Sequence, residues 1–321
     1  MNNATPRLII RNLRNITEHY FKFFLYGSPL RRNMLRSFKP LYKSLNLNLV
    51  SRSFVSSSFI QSNNIEILYT ENGICTMSLC REEGKNSFSR QMLDEFVENT
   101  DMLSRNVDIR ALILQSKVPK VFCAGADLKE RATMKTEEEV ENFVSKLRMS
   151  FYKFRMLPFP TIAAIEGVAL GGGLELALNC DLRVASENAL IGLPETALAI
   201  IPGAGGTQSL QRVVGQARAK ELILLAKRMK GKEAYEKGVI TEVTPNGQAY
   251  QKALVLAEEM SKKGPIALRM AKKSIDEGGD LDYVEALEVE QTCYGGVLRT
   301  EDRVEGLIAF KEKRDPTYKG K

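Results

Sequence analysis

From about residue 62 onward the chain alternates short β-like apolar runs with longer runs of helical period, and no low-complexity linker interrupts the pattern. That order restricts the chain to an α/β architecture. Ile65 to Tyr69 and Ile74 to Leu79 read as a hairpin around Glu71, Asn72 and Gly73, and Ser89 to Asp101 predicts a helix with Met92, Leu93, Phe96 and Val97 on one side. A strand at Ala111 to Gln115, a long helix from Thr136 to about Met156 and a strand at Thr161 to Ile165 follow. Beyond Pro245 the pattern is wholly helical, over 248–262, 266–276, 283–298 and 302–311. The expected division is therefore a leader over 1–60, a catalytic core over 61–255 and a C-terminal helical oligomerisation region over 256–321.

The first of these pieces rests on charge. Residues 1–60 hold ten Lys or Arg and one acid, Glu18, whereas the other 36 basic and 38 acidic residues nearly cancel. Rich in Arg and Ser, with scattered Phe, Leu and Ile but no long apolar run, this stretch matches a mitochondrial transit peptide better than a secretory signal or a membrane span. The expected destination is the mitochondrial matrix. A basic arm for nucleic acid is the competing reading.

What the sequence lacks narrows the chemistry. The one histidine, His19, lies in the leader, so histidine general bases, Ser-His-Asp or Cys-His hydrolysis and HExxH zinc sites are excluded from the remainder. The five cysteines, Cys75, Cys80, Cys123, Cys180 and Cys293, form no CxxC pair and read as buried fillers. Acid–base work falls to carboxylates, Lys, Tyr or Cys.

Three stretches stand out as sites. In GVALGGGLELALNCD, 167–181, Gly171, Gly172 and Gly173 precede the helix-favouring Leu174, Leu176, Ala177 and Leu178. The glycines admit a ligand against the main chain at a helix N-terminus, and Glu175 falls in the first turn. In VFCAGADLKE, 121–130, small residues that leave the backbone uncovered follow a buried strand; a plain turn has the same signature. In IGLPETALAIIPGAGGTQ, 191–208, Glu195 interrupts an apolar run; a structural salt bridge to a core Arg is the alternative there. Glu166, before Gly167, reads as facing solvent or making a structural contact. Two carboxylates in apolar settings, two glycine-rich turns and no histidine suit a reaction beside a carbonyl: backbone N–H groups hold a developing oxyanion while the carboxylates move protons at neighbouring carbons. Burial and mutual repulsion raise the pKa of one carboxyl, so that acid and base coexist near neutral pH.

FCAGADLKE, IEGVALGGGLELALNCDLRVA, GLPET and IPGAGGTQ, in this order and spacing, resemble the crotonase or enoyl-CoA hydratase/isomerase superfamily over about residues 62–321. The resemblance implies an α/β fold, a crotonase-type spiral of ββα turns followed by a helical trimerisation region, assembled as a trimer or a hexamer of two trimers. It also implies an oxyanion hole from the N–H groups of Ala126 and Gly172, and Glu175 and Glu195 as the catalytic pair. By the same resemblance Glu175 activates a water that attacks C3 of an α,β-unsaturated acyl-CoA, and Glu195 protonates C2. No metal or redox cofactor is implied; coenzyme A enters with the substrate, along a path lined by Lys85, Ala124, Ala126, Asp127, Leu128, Lys129 and Gly172. The implied reaction is hydration of a 2-enoyl-CoA thioester, foremost 3-methylglutaconyl-CoA to 3-hydroxy-3-methylglutaryl-CoA in leucine degradation. A general short-chain hydratase of fatty-acid β-oxidation is the alternative. A lysine row for AU-rich RNA on the first long helix also belongs to the resemblance, but the positions here read Arg90, Asp94 and Glu98, and two acids repel phosphate.

Overall fold

The structure, a computed structural model, describes residues 59–321. The leader expected over 1–60 therefore lies almost entirely outside the described residues, along with His19 and Glu18. Strand β1 (Phe59–Gln61) pairs antiparallel with β2 (Ile65–Tyr69), so the last two leader positions are part of a sheet.

After β2 and β3 (Ile74–Leu79), which form the expected hairpin, the chain repeats one unit. β4 (Ala111–Ser116) and β5 (Val121–Cys123) lead to the short helix α2 (Leu128–Arg131) and the long α3 (Glu137–Arg155). β6 (Thr161–Ile165) and β7 (Val168–Leu170) lead to α4 (Gly172–Leu178), and β8 (Leu182–Ser186) and β9 (Leu190–Gly192) lead through a 3₁₀ turn (Glu195–Leu198) to α5 (Gly206–Val214) and α6 (Gln216–Leu224). β4, β6 and β8 are parallel neighbours in a seven-stranded sheet of order β1-β2-β3-β4-β6-β8-β11, where β11 is Glu242–Thr244. β5, β7 and β9 are parallel neighbours in a second sheet closed by β10 (Arg228–Lys230). Each turn therefore lays one strand in each sheet before its helix: this is the ββα spiral.

Helix α1 (Arg90–Ser104) starts where Ser89 Oγ accepts the Met92 N–H, and it buries Met92, Leu93, Phe96, Thr100 and Leu103. Phe88 and Phe96 meet Phe151 and Phe154 of α3 with ring centroids 5.1 to 5.9 Å apart, mostly edge to face. On the other face of the large sheet, Ala249, Ala253 and Ala257 of α8 (Ala249–Ser261) pack on Ile74, Ile113, Ile162 and Val184. Small residues let this helix lie close, and with both faces covered the parallel strands are apolar on both sides. α8 runs unbroken through position 255, so the division expected there falls inside a helix that covers the sheet. α7 (Gly231–Glu236) precedes β11; α9 (Pro265–Gly278), α10 (Tyr283–Val297) and α11 (Glu301–Glu312) complete the chain.

Candidate active site

Because β5, β7 and β9 are parallel neighbours, their C-terminal ends lie side by side, and the chain that leaves each carries one of the expected motifs. Such an edge is where parallel sheets offer ligand sites. After β5 comes Gly125, at φ +100°, and then Ala126. Phe88 forms a parallel bridge to Ala126: its N–H donates to Gly125 O at 2.8 Å and its carbonyl accepts from Asp127 N at 3.0 Å. In that geometry the Ala126 N–H turns away from Phe88. After β7 comes Gly171, at φ +54°, and then Gly172 as the first residue of α4. A Cβ on Gly172 would stand 3.3 Å from Ala126 N, and one on Gly125 would stand 3.1 Å from Gly172 N. The two amides are brought together, and among the described residues neither donates to a protein acceptor.

Glu175 lies one turn into α4, 3% exposed. Its Oε1 accepts from Ala204 N at 2.8 Å and Gly206 N at 2.7 Å, so the GAGG turn before α5 cradles the carboxylate. The motif alone assigns that turn no partner; its glycines are the available signal, since a Cβ on Gly206 would come within 2.9 Å of Glu175 Oε1. Burial raises the Glu175 pKa to about 7, with the Glu195 charge adding to the rise and the two amides and Arg148 opposing it. The fold thus favours the neutral carboxyl, and this group's contribution to stability declines as pH climbs from the ordinary 4.5 towards about 7.

Glu195 opens the 3₁₀ turn after β9. Its Oε1 approaches Gly171, where a Cβ would stand only 3.2 Å away. Its Oε2 is buried with no hydrogen-bond partner among the described residues, and burial raises its pKa too. No core Arg pairs with it there, so the salt-bridge alternative is not what this residue does. Both carboxylates and both amides therefore surround one edge of the small sheet.

The remaining expected residues divide. Ala124 N donates to Lys85 O at 3.1 Å, which sets Lys85 beside the 124–129 segment; the Lys85, Leu128 and Lys129 side chains are exposed. Asp127 is engaged by the protein: it caps α2 by accepting from Lys129 N and Glu130 N and pairs with Arg81 at 2.8 Å. Burial alone would raise its pKa, but the Glu130 N–H and the Arg81 guanidinium hold it below the ordinary range. Glu166 is structural, accepting from Gly247 N and Ala249 N at the start of α8. On α1, Arg90 pairs with Glu130 and Asp94 with Lys146. Cys75, Cys123 and Cys180 are buried thiols pushed to about 12 by burial. Among the described residues no cluster of His, Cys, Asp or Glu is arranged to hold a metal ion, and no helix is long and apolar enough to cross a membrane.

The enoyl-CoA hydratase/isomerase family model matches residues 69–321. The chain belongs to this family. Rat mitochondrial methylglutaconyl-CoA hydratase is 51% identical over 252 residues, spanning 77% of this chain and 80% of its own length. The human protein of the same name is also 51% identical over 252 residues, spanning 77% of this chain and 74% of its own. The crystal structure of an enoyl-CoA hydratase from Bacillus anthracis, 47% identical, superimposes with a TM-score of 0.78 over 81% of this chain and all of that one. The crotonase fold and an enoyl-CoA hydratase-type hydro-lyase follow for this family member.

Proposed function

We propose that this enzyme hydrates 3-methylglutaconyl-CoA to 3-hydroxy-3-methylglutaryl-CoA, as a step of leucine degradation in the mitochondrial matrix. The observation that carries the hydration chemistry is the convergence, at the ends of β5, β7 and β9, of two carboxylates and two amides that have no protein acceptor among the described residues. The identity to the rat and human methylglutaconyl-CoA hydratases supports the acyl group and the compartment.

In this reading the thioester oxygen receives the Ala126 and Gly172 N–H groups, which favour the charge that develops as the enolate forms. Glu175, its Oε1 held by two amides, takes a proton from a water that it shares with Glu195, and the water oxygen bonds to C3. Glu195 gives its proton to C2 as the enolate collapses. One proton has moved from water to Glu175 and one from Glu195 to C2, so the pair holds a single proton before and after. No metal or redox cofactor is needed. Coenzyme A is part of the substrate, with Ala124 to Lys129 and Lys85 along its path. The exposed Ile275, Tyr283, Val284 and Tyr294 of α9 and α10, with Phe310 of α11, support burial of these helices in a homotrimer or a hexamer of two trimers.

Steady-state rates test the substrate assignment. 3-Methylglutaconyl-CoA is expected to give the higher kcat/KM, and a preference for crotonyl-CoA would replace the assignment by a general short-chain hydratase. Dependence on pH tests the pair: fully protonated it has no base and fully ionised it has no acid, so kcat/KM is expected to be bell-shaped. Both limbs belong to the pair rather than to either residue, and because burial raises both carboxyls, Glu175 to about 7, the profile is expected to lie above the ordinary carboxylate range. A flat profile over about two pH units either side of 7 would remove the shared-proton mechanism.

A further inference from the structure

The 3-methylglutaconyl group creates an electrostatic problem. Its distal carboxylate hangs from C4, two bonds from the carbon that water attacks, so it enters beside Glu175 and Glu195. With one negative charge already on the Glu175–Glu195 pair, a second anion then enters a poorly hydrated site unless a cation meets it.

Helix α3 supplies one candidate. It carries four basic residues, and three of them pair with acids: Lys146 with Asp94, Lys153 with Asp101, and Arg155 with Asp276. Among the described residues Arg148 has no acidic partner within salt-bridge reach. Its Nε instead donates to Gly203 O at 2.8 Å, one residue before the Ala204 amide that holds Glu175. One turn earlier, Val144 presses on the same loop, where a Cβ on Gly203 would lie 2.9 Å from Val144 Cγ1. The Arg148 charge also opposes the rise of the Glu175 pKa. With Nε committed to the loop, the two Nη groups have no hydrogen-bond partner among the described residues and remain available as a fork for a carboxylate.

We infer that the Arg148 guanidinium receives the distal carboxylate of the acyl chain and so selects 2-enoyl-CoA substrates that carry an anionic group on C4. This inference rests on the 3-methylglutaconyl-CoA reading of the site. It also gives Arg148 two tasks, since the same side chain anchors the loop that cradles Glu175.

Arg148→Gln separates the tasks, because the amide still offers a donor to Gly203 O but carries no charge. The measurement is kcat/KM of the full chain and its Arg148→Gln and Arg148→Lys variants on 3-methylglutaconyl-CoA and on crotonyl-CoA. The ratio of the two constants is expected to fall by about 10- to 100-fold in Arg148→Gln, chiefly through KM, as for the loss of one charged hydrogen-bonding partner. Arg148→Lys should recover part of it. If both substrates slow by the same factor, or the ratio does not move, Arg148 is only a loop anchor and the inference is overturned while the substrate reading stands. A wild-type enzyme that hydrates crotonyl-CoA but not 3-methylglutaconyl-CoA would instead overturn the substrate reading and this inference together.

Discussion

Glu175→Gln and Glu195→Gln are each expected to lower kcat for hydration by about 10²- to 10⁴-fold, the usual loss when a proton-transfer group is replaced by its amide. Neither change should unfold the protein. In Glu175→Gln the new amide oxygen still accepts from Ala204 N and Gly206 N, and the neutral side chain escapes the burial cost that raises the Glu175 pKa. The double variant should lose far less than the product of the two single losses, because in the proposed mechanism the two carboxylates share one water and act as a unit. Exchange of the C2 proton of the product-like acyl-CoA with solvent distinguishes them: Glu195→Gln should nearly abolish it, whereas Glu175→Gln should leave a measurable part. Glu166→Gln is the control, for it removes charge from the start of α8 and should cost stability of about 1 kcal/mol without slowing the chemistry. Full hydration by Glu195→Gln, or a dead Glu166→Gln, would move the catalytic pair elsewhere.

Gly173→Ala is expected to be the most damaging change that touches no functional side chain. A Cβ at this position would sit 2.0 Å from Cys123 O and 2.8 Å from Cys123 C, a collision with backbone that no rotamer relieves. Relief requires α4 to move off the end of β5, and that motion parts the Gly172 amide from the Ala126 amide. Since an oxyanion donor is worth about 10²- to 10³-fold in kcat, a loss of that order is expected per folded molecule. Overpacking of this kind also costs about 1–3 kcal/mol, so the melting temperature should fall. Normal kcat with an unchanged melting temperature would show that α4 and β5 are not packed this closely, and the oxyanion assignment would go with it.

Legibility varies with element length and with how local each signal is. The hairpin of β2 and β3, the strands β4 and β6, and the helices α1, α3 and α8 to α11 are readable to within a few residues, because each is long enough to repeat its period and several carry caps such as Ser89 and Thr136. The small sheet is not readable. β5, β7, β9 and β10 are three residues each, too short for alternation to distinguish a strand from a turn. The site follows the same rule: Glu175 and Glu195 stand out as carboxylates in apolar runs, whereas Arg148 on α3 looks like one more solvated base in a charged helix.

The amino-acid sequence by itself determined the α/β order, the exclusion of histidine chemistry beyond residue 60, the family motifs and the pair of glutamates. These are properties of residue type and local period, and they survive without coordinates. Tertiary structure decided what those residues face. Only the parallel pairing of β5, β7 and β9 brings Ala126, Gly172 and the two carboxylates to one edge, and only the GAGG turn folding back on α4 gives Glu175 its two amide donors. It likewise fixed Asp127 on Arg81, Glu166 on α8 and Arg148 on the loop at Gly203. The reason is that a charge's partner and its burial are set by segments distant in sequence, and no window of neighbouring residues contains them.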